Sequence, residues 1–266
     1  MKKNIAESIE NELPEIIKRI AIDYNIPLFI NNPDFLEKRL EKWHQFGLLG
    51  HTKKVREIFL NELNDNLKSF GIYEKVQKVL IKKIDNIEKN KLFEASIPLH
   101  DLGKIIIYGD TRINREHEIV SRNLIYKDFL NNKLDSMGLS NKHIDYIARC
   151  VETHDVIGKE IRDKLKQNNK LNLEYLSDSY VKHICKDISN KYSDIKVELG
   201  IFSFCDSLGR TDIRIYANTD SEVIQKESEI IQILEQRSLP SELKCAVIQL
   251  PLNIKLAETY LKNLFG

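Results

Sequence analysis

The stretch Ile97-Pro98-Leu99-His100-Asp101-Leu102-Gly103-Lys104 decides how this chain is read. An apolar run ends in two adjacent side chains that can each ligate a metal, followed by a glycine and a lysine. His51 lies upstream of the pair, and His117, His154 and Asp206 lie downstream, giving the ordered set H…HD…H…H…D. Four imidazoles and two carboxylates suffice to hold two ions and leave positions for water and substrate. Histidine with carboxylate suits divalent transition metals (Mn, Fe, Co, Ni or Zn). If His117 or His154 serves only in packing, one metal remains.

Around the pair, each neighbour has a chemical reading. Adjacent residues on a helix diverge by about 100°, so Asp101 is expected to bridge a metal pair with His100 to one side. Lys104 follows His100 by four residues and shares its helical face. It is expected to contact a phosphate oxygen, the alternative being a pair with Asp101. Gly103 leaves room for a close approach at the helix end. His51 is preferred as a ligand over His44, because Gly47 and Gly50 interrupt the helix between them. Arg210, one turn beyond Asp206, and Arg115 are candidate phosphate binders, with Arg112, Arg122 and Arg149 behind them. Asp155 reads either as a carboxylate that orients a histidine or as a helix-end charge. His143 and His183 read as surface residues.

Helical periodicity runs through nearly the whole chain, and Gly and Pro are scarce at ten and six. Helices are expected over 5–21, 34–46 after a turn at Asn32-Pro33-Asp34, from His51 onward, and over 73–103 with a break near Pro98. Further helices should carry His117, follow an N-cap at Ser140-Asn141 to end near His154, and cover 177–190, 194–209, 220–237 and 241–265. Residues 166–174 are polar and read as a loop. No strand pair or repeat is evident. The predicted fold is all-α: a helical extension over 1–44, a helical bundle over 45–215 and a helical appendage over 216–266 packed on it. The 220–237 segment leaves a homodimer contact open.

The 266 residues are 42% hydrophobic and 30% charged, which allows a sizeable core. Lys and Arg (41) balance Asp and Glu (40), so extensive duplex DNA binding is disfavoured. The widely spaced Cys150, Cys185, Cys205 and Cys245 match neither a zinc ribbon nor a disulfide framework. No apolar run approaches the roughly 20 residues that span a bilayer, and no secretory h-region follows Met1. The expectation is a cytoplasmic protein with no membrane partner.

His51, Leu99-His100-Asp101-Leu102-Gly103-Lys104-Ile105 and Phe204-Cys205-Asp206-Ser207-Leu208-Gly209-Arg210 together resemble the HD-domain metal-dependent phosphohydrolase superfamily. Arg115-Glu116-His117-Glu118 resembles the segment in which binuclear members supply a further histidine. The run from Leu139 to Asp155 is similar to the HD domain attached to bacterial tRNA nucleotidyltransferases. The resemblance covers about 45–215. It implies an HD-domain bundle in which His51, His100, Asp101 and Asp206 bind one metal. Asp101 then bridges to a second ion, completed by His117 and His154. It implies hydrolysis of a nucleotide or small phosphoester, mono- or diester, by a metal-activated hydroxide, with Asp101 and Lys104 as catalytic residues. The chain lacks the nucleotidyltransferase domain, and lacks the paired histidines and Gly-Tyr-Pro segment of cyclic-di-GMP phosphodiesterases. Two rivals stand beside this reading. One is a mixed-valent di-iron oxygenase resembling inositol oxygenase, with the same ligand order. The other is a non-catalytic nucleotide-binding module.

Overall fold

Asn4 begins the first helix, its side-chain oxygen accepting the Ala6 N–H at 2.9 Å. The helix that follows, α1 (Ile5–Asp23), buries Ile9, Leu13, Ile16, Ile17 and Ile20 at helical spacing. This apolar side packs on α5 (Lys89–Ser96), on the 3-10 turn Ile97–Leu99 and on α6 (Gly103–Gly109). The computed structural model describes residues 4–26, 44–109, 116–162, 173, 176 and 179–266, and its fold is all-α. The expected turn at Asn32-Pro33-Asp34, most of the 34–46 helix, nearly all of the 166–174 loop, Arg112 and Arg115 lie outside the described residues.

α2 (Gly47–Asn61) presents His51, Val55 and Ile58 to the core, and α3 (Leu63–Ser69) and α4 (Tyr73–Leu80) follow. The expected break near Pro98 is present as the 3-10 turn Ile97–Leu99, but the structure departs from the 73–103 helix a second time, and from the absence of strands. A two-residue antiparallel pair, β1 (Lys83–Ile84) and β2 (Ile87–Glu88), sets Ile84 opposite Ile87. The break comes from Asp85-Asn86, with Asp85 in the left-handed region at φ +48°. Ser140 and Lys142 hold the Asp85 carboxylate at 3.0 and 2.9 Å.

His143 is likewise not a surface residue but 1% exposed. Its Nδ1 accepts the Ser140 N–H at 3.0 Å, and its Nε2–H donates to the Ile84 carbonyl at 2.8 Å. It thereby pins the hairpin to the start of α9 (Asn141–Thr153), with Ser140 as the expected N-cap.

Between these lie α7 (His117–Ile125) and α8 (Asp128–Ser136). After α9 come a wide π turn at Gly158–Arg162, α10 (Ser179–Lys191) and α11 (Lys196–Gly209). The chain closes with α12 (Asp220–Gln225), α13 (Glu227–Gln236) and α14 (Lys244–Phe265). α14 lies along α11, which also packs on α2. One large apolar cluster runs from α1 to α14, and a small one around Ile213, Ile230, Leu234 and Val247 seats α13. On the 220–237 segment Val223, Ile230 and Leu234 are buried within the chain, while Ile224 is exposed. Cys150, Cys185 and Cys205 are buried free thiols. No described helix is long and apolar enough to cross a membrane.

Candidate metal centre

Five separate segments deliver the candidate ligands. His51 sits near the start of α2, His117 opens α7, His154 follows α9 and Asp206 lies in the last turn of α11. His100 and Asp101 occupy the turn between Ile97–Leu99 and α6 rather than a continuous helix. His100 keeps helical backbone angles, and both side chains still reach one centre, with His100 Nε2 3.3 Å from Asp101 Oδ2.

The rings are aimed by backbone carbonyls. His100 Nδ1–H donates to Ile97 O at 2.6 Å, His154 Nδ1–H to Val151 O at 2.7 Å, and His51 Nδ1–H to Gly209 O at 3.1 Å. Each acceptor lies in the last turn of a helical stretch, where carbonyls lack their full intrahelical partners. A carbonyl can only accept, so the proton sits on Nδ1 and the Nε2 lone pair is left for a ligand. At His117 no carbonyl plays this part among the described residues; Glu118 Oε2 lies 3.3 Å from Nδ1 without a hydrogen bond between them.

The Nε2 atoms converge on the two faces of one carboxylate. Asp101 Oδ2 lies 3.3 Å from His100 and 3.6 Å from His51. Asp101 Oδ1 lies 3.3 Å from His117 and 3.7 Å from His154. Asp206 Oδ1 joins the first group, 2.9 Å from His51 and 3.6 Å from His100. In the second group His117 Nε2 and His154 Nε2 are 3.1 Å apart. His100 Nε2 and Asp101 Oδ1 are fully buried without a hydrogen-bond partner. A buried orphan of this kind costs about 1–3 kcal/mol, and two facing ring nitrogens repel unless a cation lies between them. Among the described residues three buried triads, His51–His100–Asp206, His100–Asp101–His154 and His44–His51–Asp101, bring their ligand atoms close enough to hold a metal ion.

The electrostatics agree with that chemistry. Burial would raise the Asp101 carboxyl, but His100 and Lys104 hold it well below the usual range. Burial is likewise outweighed at Asp206, by Arg210, His100 and His51. Burial lowers His154 and, despite Asp206, His51, so both rings are neutral bases. At His100 burial lowers the imidazolium, but Asp101 and Asp206 overcome it and push the pKa up to about 9. In the metal-free protein a proton thus stands where an ion would sit. Raising the pH toward about 9 removes this competitor, so apparent metal affinity should climb over that interval. Calorimetry in buffers of different ionisation enthalpy at pH 7 should register about one proton released by His100 as metal binds. Affinity independent of pH between 6 and 9 would contradict this.

Of the remaining candidates, Lys104 is buried and donates to Asp101 Oδ2 at 2.6 Å and to His44 Nε2 at 3.0 Å, leaving one of its three donors. Arg210 donates through Nη2 to Asp206 Oδ2 at 2.7 Å. Asp155 orients no histidine among the described residues, since Val151 already holds the His154 ring. Arg149 is engaged by Asp194 and Glu152, and His183 faces Asp187 on an exposed surface.

The sequence reading set one participant aside, His44, and did not single out another, Glu118. His44 packs its ring 4.0 Å from that of His51, and the Gln45 N–H donates to Arg210 O at 2.8 Å, docking this segment on the end of α11. Its Nε2 is taken by Lys104, whereas His51 faces both carboxylates. Glu118, 4% exposed and ion-paired with Lys159 from the π turn, backs His117. A histidine seven residues before His51 and a carboxylate next to His117 were visible, but neither signal tells inward from outward. Compared with protein-family models, with curated proteins and with solved structures, the chain returns no match.

Proposed function

We propose that this chain is a metal-dependent phosphohydrolase of the HD superfamily, acting on a nucleotide or other small phosphoester. One observation carries the reading: the two oxygens of Asp101 face two different imidazole pairs, the arrangement a carboxylate needs to bridge two ions. His51, His100 and Asp206 would complete one position, and His117 with His154 the other. A metal pair in these positions supplies a nucleophilic hydroxide at neutral pH and neutralises charge on the phosphoryl oxygens.

The rest falls to the chain's own groups. Asp101 and Asp206 stay ionised and are held by Lys104 and Arg210, so their lone pairs keep their aim. Lys104 retains a donor for a developing negative charge on the substrate. Phe202, one turn before Asp206, lies 5.4 Å from the His100 ring and 5.6 Å from the His154 ring. It packs an apolar ring against both imidazoles. In the net reaction the oxygen of water ends on phosphorus, the ester P–O bond breaks, and the leaving oxygen departs with a proton.

Turnover of chromogenic phosphate mono- and diesters tests this, run anaerobically with Mn²⁺, Fe²⁺, Co²⁺, Ni²⁺ and Zn²⁺ in turn. The expected result is release of the chromophore that depends on the metal and stops with chelator. Absence of release from protein that holds two irons and consumes oxygen would replace hydrolysis with oxygenation.

A further inference from the structure

Lys104 reaches the ligand set from α6, and two acceptors hold its ammonium. The bond to Asp101 Oδ2, at 2.6 Å, is local, whereas the bond to His44 Nε2, at 3.0 Å, joins residues sixty apart in sequence. An ammonium can only donate, so Nε2 accepts and the His44 proton sits on Nδ1. His44 is 3% exposed, and that Nδ1–H is buried with no partner among the described residues. A buried polar group left in this way costs about 1–3 kcal/mol. Fold stability alone therefore does not account for an imidazole at this position.

The segment that carries His44 is anchored at the end of α11. The ring stands edge-on to that of His51, and the Gln45 N–H donates to Arg210 O. Gln45 Oε1 accepts from Thr211 Oγ1 at 2.9 Å and from the Asp212 N–H at 3.1 Å. His44 is also close enough to His51 and Asp101 to share an ion with them. Its Nε2 has one lone pair, however, and cannot serve an ion and the ammonium at once.

We propose that His44 is a positioning residue, which holds Lys104 so that its remaining N–H meets an oxyanion bound on the metal centre. This rests on the phosphohydrolase reading, in which Lys104 answers the charge of the substrate. A lysine bonded to Asp101 alone can turn about the Oδ2···Nζ axis. A second acceptor removes that rotation, and the tetrahedral ammonium then has one direction left for its third hydrogen. Among the described residues Lys104 has no third acceptor.

The test is a double-mutant cycle, read by calorimetric titration of inorganic phosphate into the metal-loaded full chain. His44→Phe keeps a planar ring against His51 and removes the acceptor. It should weaken phosphate binding about three- to tenfold. Lys104→Met should weaken it by roughly tenfold or more. Added to Lys104→Met, His44→Phe should cost nothing further, because no ammonium is left to aim. His44→Gln, whose side-chain oxygen can accept, should stay within about twofold of wild type. Elemental analysis should find the wild-type ion content in every variant. His44→Leu takes the place of His44→Phe if the latter does not fold.

A loss from His44→Phe that is the same with and without Lys104 overturns the proposal, as does phosphate binding untouched by either single substitution. An ion lost in His44→Phe overturns it as well and makes His44 a metal ligand. Coupling of His44 to Lys104 in phosphate binding, in a chain that turns over no phosphate ester, keeps His44 in its role and rejects the phosphohydrolase reading instead.

Discussion

Asp101→Asn should reduce the chain from two bound ions to at most one, and lower turnover by at least the ~10²–10³-fold that follows loss of one charge-stabilising group. The amide keeps the volume of the carboxylate but has a lone pair on only one end. Lys104, a pure donor 2.6 Å from Oδ2, selects which end that is. The carbonyl oxygen stays toward Lys104, His51 and His100, and the NH₂ turns toward His117 and His154. The ion held by the latter pair is therefore the one lost. Asp101→Ala removes both faces and should lose both ions. Elemental analysis of the purified variants, read beside turnover, decides. Two ions retained in Asp101→Asn would mean that Asp101 does not bridge.

Gly103→Ala should be nearly as damaging, although it removes no ligand. A methyl group there would stand 2.0 Å from the His117 carbonyl oxygen, 2.8 Å from the Ser121 nitrogen and 2.9 Å from the His117 carbonyl carbon. These are backbone atoms of α7, so no rotamer change relieves the clash, and one helix must move off the other. Overpacking of this kind costs about 3 kcal/mol or more, which corresponds to a fall of roughly 5–10 °C in Tm. The move also carries His117 away from His154 and Asp101, so the second ion should weaken with the fold. Thermal unfolding and metal content measured together check this, and a variant with wild-type Tm and two ions would refute it. The glycine after Asp101-Leu102 is thus explained by α7 lying on α6, with the Gly103 N–H donating to Ser121 Oγ at 2.7 Å.

The six ligand candidates could be named from the sequence because histidines are scarce, seven in all, and their residue types carry chemistry wherever the fold puts them. The all-α class was legible because the 3.6-residue period of α1, α9 and α11 repeats over long stretches. Other features depended on partners far away in the chain. His143 looked polar and exposed until Ile84, fifty-nine residues earlier, supplied the carbonyl that buries it. The hairpin was hidden because Asp85-Asn86 is a weak turn signal inside a charged run, made firm only by Ser140 and Lys142. Asp155 failed as an orienting group for a local reason: Val151, three residues before His154, already supplied the acceptor.

The hydrogen bond from His51 to the carbonyl of Gly209 ties together residues 158 apart in sequence. While the chain is being made, His51, His100, His117 and His154 all leave the ribosome before Asp206, and the carbonyl that aims His51 comes later still. A nascent chain therefore offers histidines without the geometry that selects an ion. The complete ligand set exists only once α11 has emerged and docked on α2. Completion of the candidate ligand set belongs to the finished chain, because it waits on a contact of long sequence separation.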